Sequence, residues 1–310
     1  MISRYTFRRK TKGLLLSTVR LLILAGICFV ILYPLLLKVS ISFMSMSDLY
    51  DSSVMFIPKH ATMHNFRLAA ETVDYFHTLL RSVAFVGIQS VLSVLSSLLV
   101  GYGFARFQFY GKKLLFGCVL LTLIIPAQNI MLPLYFYFQN FNLFGLLGDN
   151  GVSLLGTPWV LFLLSATGVG LKNGLYIYMF RQYFKGFPKE LEESGAIDGA
   201  GSLRIFFRII VPNATAMIVT CLLFSFVWQW TDTFYTSIFM PGNDLMSTQL
   251  LGLAVRISSQ MAGEAGGVDP YYIAIMSNVS VLLLIIPMAL IYMVAQRFFV
   301  ESIERSGIVG

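Results

Sequence analysis

The sequence predicts an all-α membrane protein of six transmembrane helices with both termini in the cytoplasm, and three observations predict it. Of its 310 residues, 57% are hydrophobic and only 12% are charged, about half the charged share of an ordinary soluble domain. The apolar residues come in runs long enough to cross a bilayer, about 20 residues at 1.5 Å each. The basic residues then gather between alternate runs, and an excess of Lys and Arg in short loops marks the cytoplasmic side.

Taken in order, the runs are 14–41, 79–105, 114–137, 159–180, 214–239 and 271–295. The first follows a basic start and resembles a signal sequence, but its core is too long and no convincing small-residue cleavage pattern follows, so it is expected to be retained. The second carries Gln89, Ser90, Ser93, Ser96, Ser97, Gly101 and Gly103. Small residues at this spacing allow close helix packing, and a polar face lining a pathway is the other reading. The third is interrupted by Pro126-Ala127-Gln128-Asn129 through Pro133. Two prolines remove backbone donors, and such breaks border a cavity or protein rather than lipid. The fifth closes on Trp228-Gln229-Trp230-Thr231-Asp232-Thr233-Phe234-Tyr235.

Orientation follows from charge. Arg4, Arg8, Arg9, Lys10 and Lys12, then Arg106, Lys112 and Lys113, then Arg181, Lys185, Lys189, Arg204 and Arg208, then Arg297 and Arg305 fall on one side, whereas Lys59, Arg67 and Arg256 fall on the other. Arg20, Lys38, Arg81 and Lys172 lie near span edges and are not assigned. Outward loops are expected at 44–78, 139–158 and 240–270. No internal repeat divides the chain, so 1–310 reads as a single membrane domain.

Several function classes drop out. The net charge of +7 sits beside helix ends, where anionic headgroups account for it, so no nucleic-acid partner is expected. Cys28, Cys118 and Cys221 fall in separate apolar runs and read as small buried hydrophobes rather than a disulfide framework. His60 and His64 stand four apart, but with Pro58 beside them and no third ligand a solvated loop is the better reading, and no metal site is expected. A secondary transporter would need ionisable groups at mid-membrane, and a membrane enzyme would need clustered carboxylates or a His/Glu set inside the bundle.

One segment is too charged for lipid. Between 185 and 212 stand Lys185, Lys189, Glu190, Glu192, Glu193, Asp198, Arg204 and Arg208, each costing about 2.5–3.5 kcal/mol at a bilayer centre. Pro188 suits the first turn of a helix whose carboxylates lie at the positive end of its dipole. Gly199-Ala200-Gly201 makes a joint, and Leu203, Ile205, Phe206 and Ile209 begin a second apolar face that runs past Pro212.

The spacing Glu193-x5-Gly199-x9-Ile209-x-Val211-Pro212 resembles the cytoplasmic EAA loop of permease subunits of binding-protein-dependent ABC importers. Pro188-Lys189-Glu190-Leu191-Glu192-Glu193 with Ile197-Asp198-Gly199-Ala200 is similar to the carbohydrate, maltose-type branch. So are Gly101-Tyr102-Gly103-Phe104-Ala105-Arg106 with Gly111-Lys112-Lys113, and the tail Gln296-Arg297-Phe298-Phe299-Val300-Glu301. The two alanines of the motif are here Ser194 and Gly195. Gly at that position costs a helix about 1 kcal/mol relative to Ala.

The resemblance implies a type I ABC importer permease-like fold. It implies ATPase coupling through Glu192, Glu193, Ser194, Gly195, Asp198, Gly199, Ala200 and Pro212. The partners it implies are a second permease subunit, two cytoplasmic ATPase subunits, an extracytoplasmic binding protein and a carbohydrate substrate, an oligosaccharide above all. ATP and Mg are expected on the ATPase subunits, since Gly111-Lys112-Lys113 lacks the preceding Gly and following hydroxyl of a phosphate loop. No covalent chemistry is expected of this chain.

For the substrate pathway the candidates are Trp228, Gln229, Trp230, Asp232 and Tyr235, with Gln128 and Asn129. Counted from Ala214, Asp232 lies about 27 Å along its helix, where an interfacial aromatic belt with a solvated carboxylate is one reading. The other is that aromatic faces stack on sugar rings while Gln229 and Asp232 accept hydroxyl hydrogens. Ala262-Gly263-Glu264-Ala265-Gly266-Gly267 is either a contact for the binding protein or a plain flexible linker.

Overall fold

A computed structural model describes the backbone of residues 2–126, 128–143, 145, 151–265 and 269–307, with side chains over the same stretches except 2–15, 261–265 and 297–307. Of the residues named above, Ala127, Gly266 and Gly267 lie outside the described ones, as do the side chains of Arg4, Arg8, Arg9, Lys10 and Lys12, of 262–265 and of the tail from Arg297.

The elements are α1 (Ile2–Ser42), α2 (Met46–Tyr50), α3 (His64–Thr72), α4 (Tyr75–Arg106), α5 (Lys112–Ile124), α6 (Gln128–Gln139), α7 (Trp159–Ala166), α8 (Asn173–Lys185), α9 (Glu190–Ile197), α10 (Ser202–Ile205), a π-helical turn (Phe206–Ile210), α11 (Val211–Asn213), α12 (Thr215–Trp230), α13 (Phe234–Phe239), α14 (Met246–Leu251), α15 (Leu253–Ala265) and α16 (Pro270–Gly307). Among the described residues, Leu16–Ser42, Tyr75–Arg106 and Pro270–Gln296 are each long and apolar enough to cross a membrane. Two bent pairs, α5 with α6 and Ser202–Asn213 with α12, each make one more if taken together, the second bent by 74°.

The expected continuous helix over 159–180 is two helices. α7 ends at Ala166 and α8 begins at Asn173, because Gly168 and Lys172 take left-handed backbone, φ +76° and +62°, which an α-helix cannot pass through. The run 214–239 is likewise divided at Thr231-Asp232-Thr233, between α12 and α13. The stretches 44–78 and 240–270, expected as outward loops, contain α2 and α3, and α14 and α15.

The chain forms two compact units, Met1–Val73 with Leu251–Leu283, and Asp74–Leu250 with Leu284–Gly310. In the first, α3 is pinned to the end of α1 by the Asn65 amide, which donates to the carbonyls of Ser42 and Met44 at 3.1 and 2.9 Å. Asp48 is buried and accepts from the backbone N–H of His60 at 2.9 Å while its other oxygen meets the His60 ring at 2.9 Å. His60 is therefore a structural partner of Asp48. Tyr50 donates to Asp269 at 2.5 Å, and Lys38 to Asn278 at 3.2 Å.

In the second unit, α4 and α8 pack so closely that a Cβ on Gly101 would stand 2.6 Å from the Phe180 Cβ. Val94, Leu98, Tyr176, Phe180 and Phe184 form a core with Ile205, Phe206, Ile210 and Cys221. A second core joins Met131 and Phe138 of α6 to Val160, Leu161 and Leu164 of α7 and Phe239 of α13. Cys221 is buried as expected, but Cys28 and Cys118 are exposed, on helix faces that this chain does not cover.

The serines of α4 have a defined task. Asn173, fully buried, donates to the Ser97 hydroxyl at 2.9 Å, the Ser96 hydroxyl at 3.2 Å and the Ser93 carbonyl at 3.1 Å, and accepts from the Ser93 hydroxyl at 2.9 Å. Ser96 also donates to the carbonyl of Ser165 at 2.7 Å. These bonds hold the start of α8 and the end of α7 against α4, which decides between the two readings of Ser93, Ser96 and Ser97 in favour of packing.

Candidate coupling loop and translocation cavity

The charged segment folds as its spacing predicts, into two short helices around a glycine turn. α9 ends in a pair of bonds, Gly199 N–H to the Ala196 carbonyl and Ala200 N–H to the Gly195 carbonyl, both 3.0 Å. That pattern requires a left-handed residue after the helix, supplied by Gly199 at φ +75°. Gly195 is buried against α10 and the π-helical turn, where an added Cβ would lie 2.9 Å from Ile209 Cδ1 and 3.2 Å from Ile205 Cγ1. The departure from alanine thus fits the close approach of Ile205 and Ile209. Pro212 follows the π-helical turn, in which the Val211 N–H reaches five residues back to Phe206. A proline cannot donate, and the widened turn accommodates it.

The carboxylates divide. Glu192 points inward, its Oε1 2.7 Å from Nε of Arg106 at the end of α4, with the side chains 22% and 8% exposed. The approach is ionic rather than a well-directed hydrogen bond. Arg106 also donates to the Phe187 carbonyl at 2.8 Å. Of the residues expected to meet a partner, Glu192 is therefore engaged within the chain, whereas Glu193, Ser194, Asp198 and Gly199 are exposed. Ala200 is half-buried. Beside them stand Ile197, Leu203 and Phe207, 86%, 76% and 63% exposed. This apolar surface was not singled out from the sequence. The signal for it was the excess of large apolar residues over what one buried stripe of short helices can use.

The second site is a cavity of about 670 Å³ where three helix breaks meet. Ile125 and Pro126 line it from the α5–α6 break, Gly168 to Lys172 from the α7–α8 break, and Thr231 to Thr233 from the α12–α13 break. Interrupted backbone at membrane depth is tolerated where it borders protein or a water-filled space. Of the pathway candidates, Gln128, Trp228, Asp232 and Tyr235 line this cavity.

The other candidates do not. Trp230 is 2% exposed, its Nε1 donates to the Leu284 carbonyl at 3.0 Å and its ring stacks on Phe226. Gln229 is buried and donates to Ser225 at 2.8 Å. Both side chains are buried and outside the cavity lining, so they pack the fold instead of facing the cavity. Asn129 is exposed outside the lining.

Asp232 is half-buried, and α13 orients its carboxylate. Its oxygens accept from the N–H groups of Tyr235 and Thr236 at 3.3 and 3.0 Å and from the Thr236 hydroxyl at 2.8 Å, capping α13. Lys172, unassigned in the sequence, reaches over the Trp228 ring with its ammonium 4.5 Å from the centroid. An ionisable group close to a span was the available signal, but its place near the edge of the 159–180 run left it unassigned.

Comparison with known proteins places this geometry in a family. The family described as binding-protein-dependent transport system inner membrane component matches residues 93–304. The chain is 26% identical to the arabinooligosaccharides transport system permease protein AraQ of Halalkalibacterium halodurans over 98% of this chain and 100% of that one. It is 28% identical to the galactooligosaccharides transport system permease protein GanQ of Bacillus subtilis, over 93% and 94%. It is 27% identical to the diacetylchitobiose uptake system permease protein NgcG of Streptomyces coelicolor, over 89% and 83%. Its fold matches a chain in the crystal structure of a bacterial ABC transporter involved in the import of the acidic polysaccharide alginate, with a TM-score of 0.69 at 19% identity, covering 92% and 96% of the two chains. The matched span from α4 to α16 includes both the charged loop and the cavity, and the chain belongs to the family of inner membrane components of binding-protein-dependent transport systems: it is a multi-pass permease subunit.

Proposed function

We propose that this chain is one of two permease subunits of an ATP-driven importer that carries an oligosaccharide delivered by an extracytoplasmic binding protein. The cavity carries the reading. It is formed by broken helices, and it joins an aromatic face at Trp228 to the polar groups Gln128, Thr231 and Tyr235, the combination that recognises polyols. The oligosaccharide names of several similar permeases support it.

In this reading both termini and the 185–212 loop face the cytoplasm, where two ATPase subunits hold ATP and Mg. The exposed side of the loop, with Glu193, Ser194, Ile197 and Leu203, is the docking surface. Covering one large apolar side chain contributes about 1.5–3 kcal/mol, so Ile197 and Leu203 supply affinity while Glu193 sets register against a basic partner. Arg106 and Glu192 join the docked helix to α4, whose Asn173 contacts reach the cavity wall.

The test is transport by the reconstituted complex of both permeases, the ATPase subunits and the binding protein. Uptake of one or more members of an oligosaccharide panel should require ATP and the binding protein. Uptake confined to amino acids or ions, or sugar uptake driven by an ion gradient without the ATPase subunits, would sink the reading.

A further inference from the structure

Resting on the carbohydrate reading above, we infer that the cavity selects an anionic sugar, a uronate-bearing oligosaccharide, with Lys172 and Trp228 as the subsite for its carboxylated ring. Lys172 holds a left-handed backbone, φ +62°, where any residue with a Cβ is penalised and Gly or Asn would be easier. Its ammonium lies over the indole of Trp228 at 4.5 Å. Among the described residues no carboxylate stands within ion-pair distance of it.

The lining's carboxylate, Asp232, is not paired with this ammonium. Asp232 has both oxygens engaged by the amides of α13 and the Thr236 hydroxyl. The 13-residue helix α8 starts at Asn173 in the same wall, adding the positive end of its dipole. Among the described lining residues, the cavity therefore offers a cation held only by an aromatic face.

That arrangement favours a carboxylate over a neutral ring. With the ammonium above it, the indole face is covered, and a neutral sugar gains little by displacing a cation. A carboxylate draws the ammonium away, since charge-assisted hydrogen bonds are stronger than a solvent-exposed cation–π contact. The indole is then bare for the pyranose ring of the same sugar. Charge recognition and stacking become one step.

The test uses proteoliposomes holding the complete importer with its binding protein. The probes are oligosaccharide pools from several uronate polysaccharides, each beside a twin whose carboxyls have been reduced to hydroxymethyl groups. The wild type should take up a uronate pool in preference to its twin. Lys172→Asn, which keeps the left-handed backbone accessible, should lower uronate uptake about tenfold or more, the loss expected for a hydrogen bond to a charged group, and leave uptake of the reduced twin no lower. Lys172→Arg should restore most of the uronate uptake, and gel filtration should show each variant complex assembled. A wild type that takes up only reduced twins, or a Lys172→Asn variant that slows both pools equally, overturns the inference and leaves the carbohydrate reading standing. A wild type that imports a non-carbohydrate solute and no saccharide removes that reading and the inference with it.

Discussion

Two close contacts tie residue chemistry to stability. Gly101 and Gly103 look alike in the sequence, two residues apart in one apolar run. Only the structure separates them: a Cβ on Gly101 would strike Phe180 Cβ at 2.6 Å and Arg181 N at 3.1 Å, while one on Gly103 meets its nearest neighbour, Phe107 Cδ2, at 4.0 Å. Gly101→Ala should destabilise by about 1–3 kcal/mol through overpacking. Gly103→Ala should be neutral or stabilising by about 0.5–1 kcal/mol from helix propensity. Thermal unfolding of the two variants in the same detergent distinguishes them, and equal losses would show that α4 and α8 do not approach as described. Arg106 and Glu192 were legible as charged residues but not as a pair, since 86 positions of chain separate them. Their partial burial predicts a coupling energy of about 0.5–2 kcal/mol in a double-mutant cycle using Arg106→Met and Glu192→Gln. Additive losses would show that the ion pair contributes nothing.

At the scale of elements, what could be read locally was read. Pro188, the acidic first turn and Gly199 announce α9 and its end, because proline, helix dipole and left-handed glycine act within a few residues. Pro126 announces the break after α5 for the same reason. The break between α7 and α8 was missed because no proline marks it: Asn173 is drawn to the α4 serines from 76 to 80 positions away, and that bond is invisible to local pattern. Gly199→Ala should strain the turn by about 1 kcal/mol and lower transport per ATP hydrolysed more than it lowers complex assembly. Unchanged coupling in proteoliposomes would remove the turn from the mechanism. The segment around α2 carries a different prediction. The His60 backbone N–H, and after it the His60 ring, hold the Asp48 carboxyl below its ordinary value despite its burial. A depressed carboxyl stabilises the fold above its unfolded pKa of about 3.9, and that stability is lost as pH falls through the folded value. The protection of the amides over 46–62, with intrinsic exchange divided out, should stay flat from about pH 7 to 5 and fall only below about pH 4. Protection already lost near pH 6 would show that the Asp48 carboxyl does not set the pH response of this segment.

For the molecule as a whole, composition carried membrane class and helix content, because these are sums over many residues and survive local error, whereas the family came from the resemblance of one short motif, Glu193 to Pro212, and its companions. The cavity is a different kind of fact. Its walls come from breaks at 125–126, 168–172 and 231–233, and their meeting depends on packing among α4, α7, α8 and α12 that no spacing encodes. The sequence therefore named Trp228, Asp232, Tyr235 and Gln128 but could not separate them from Gln229 and Trp230, which share α12 with Trp228 and are buried. If the three breaks form one water-filled space, a cysteine on each should behave as part of one site. In a background with Cys28, Cys118 and Cys221 replaced by alanine, Gln128→Cys, Leu171→Cys and Thr233→Cys should all react with a charged, membrane-impermeant thiol reagent. Leu24→Cys, on the uncovered face of α1, should react at least about tenfold more slowly, because thiolate formation and the charged reagent both require water. A transported substrate should then protect all three cavity positions with one concentration dependence. Protection of Thr233→Cys alone, or three different half-protecting concentrations, would mean that the breaks line separate crevices and that substrate meets only one of them.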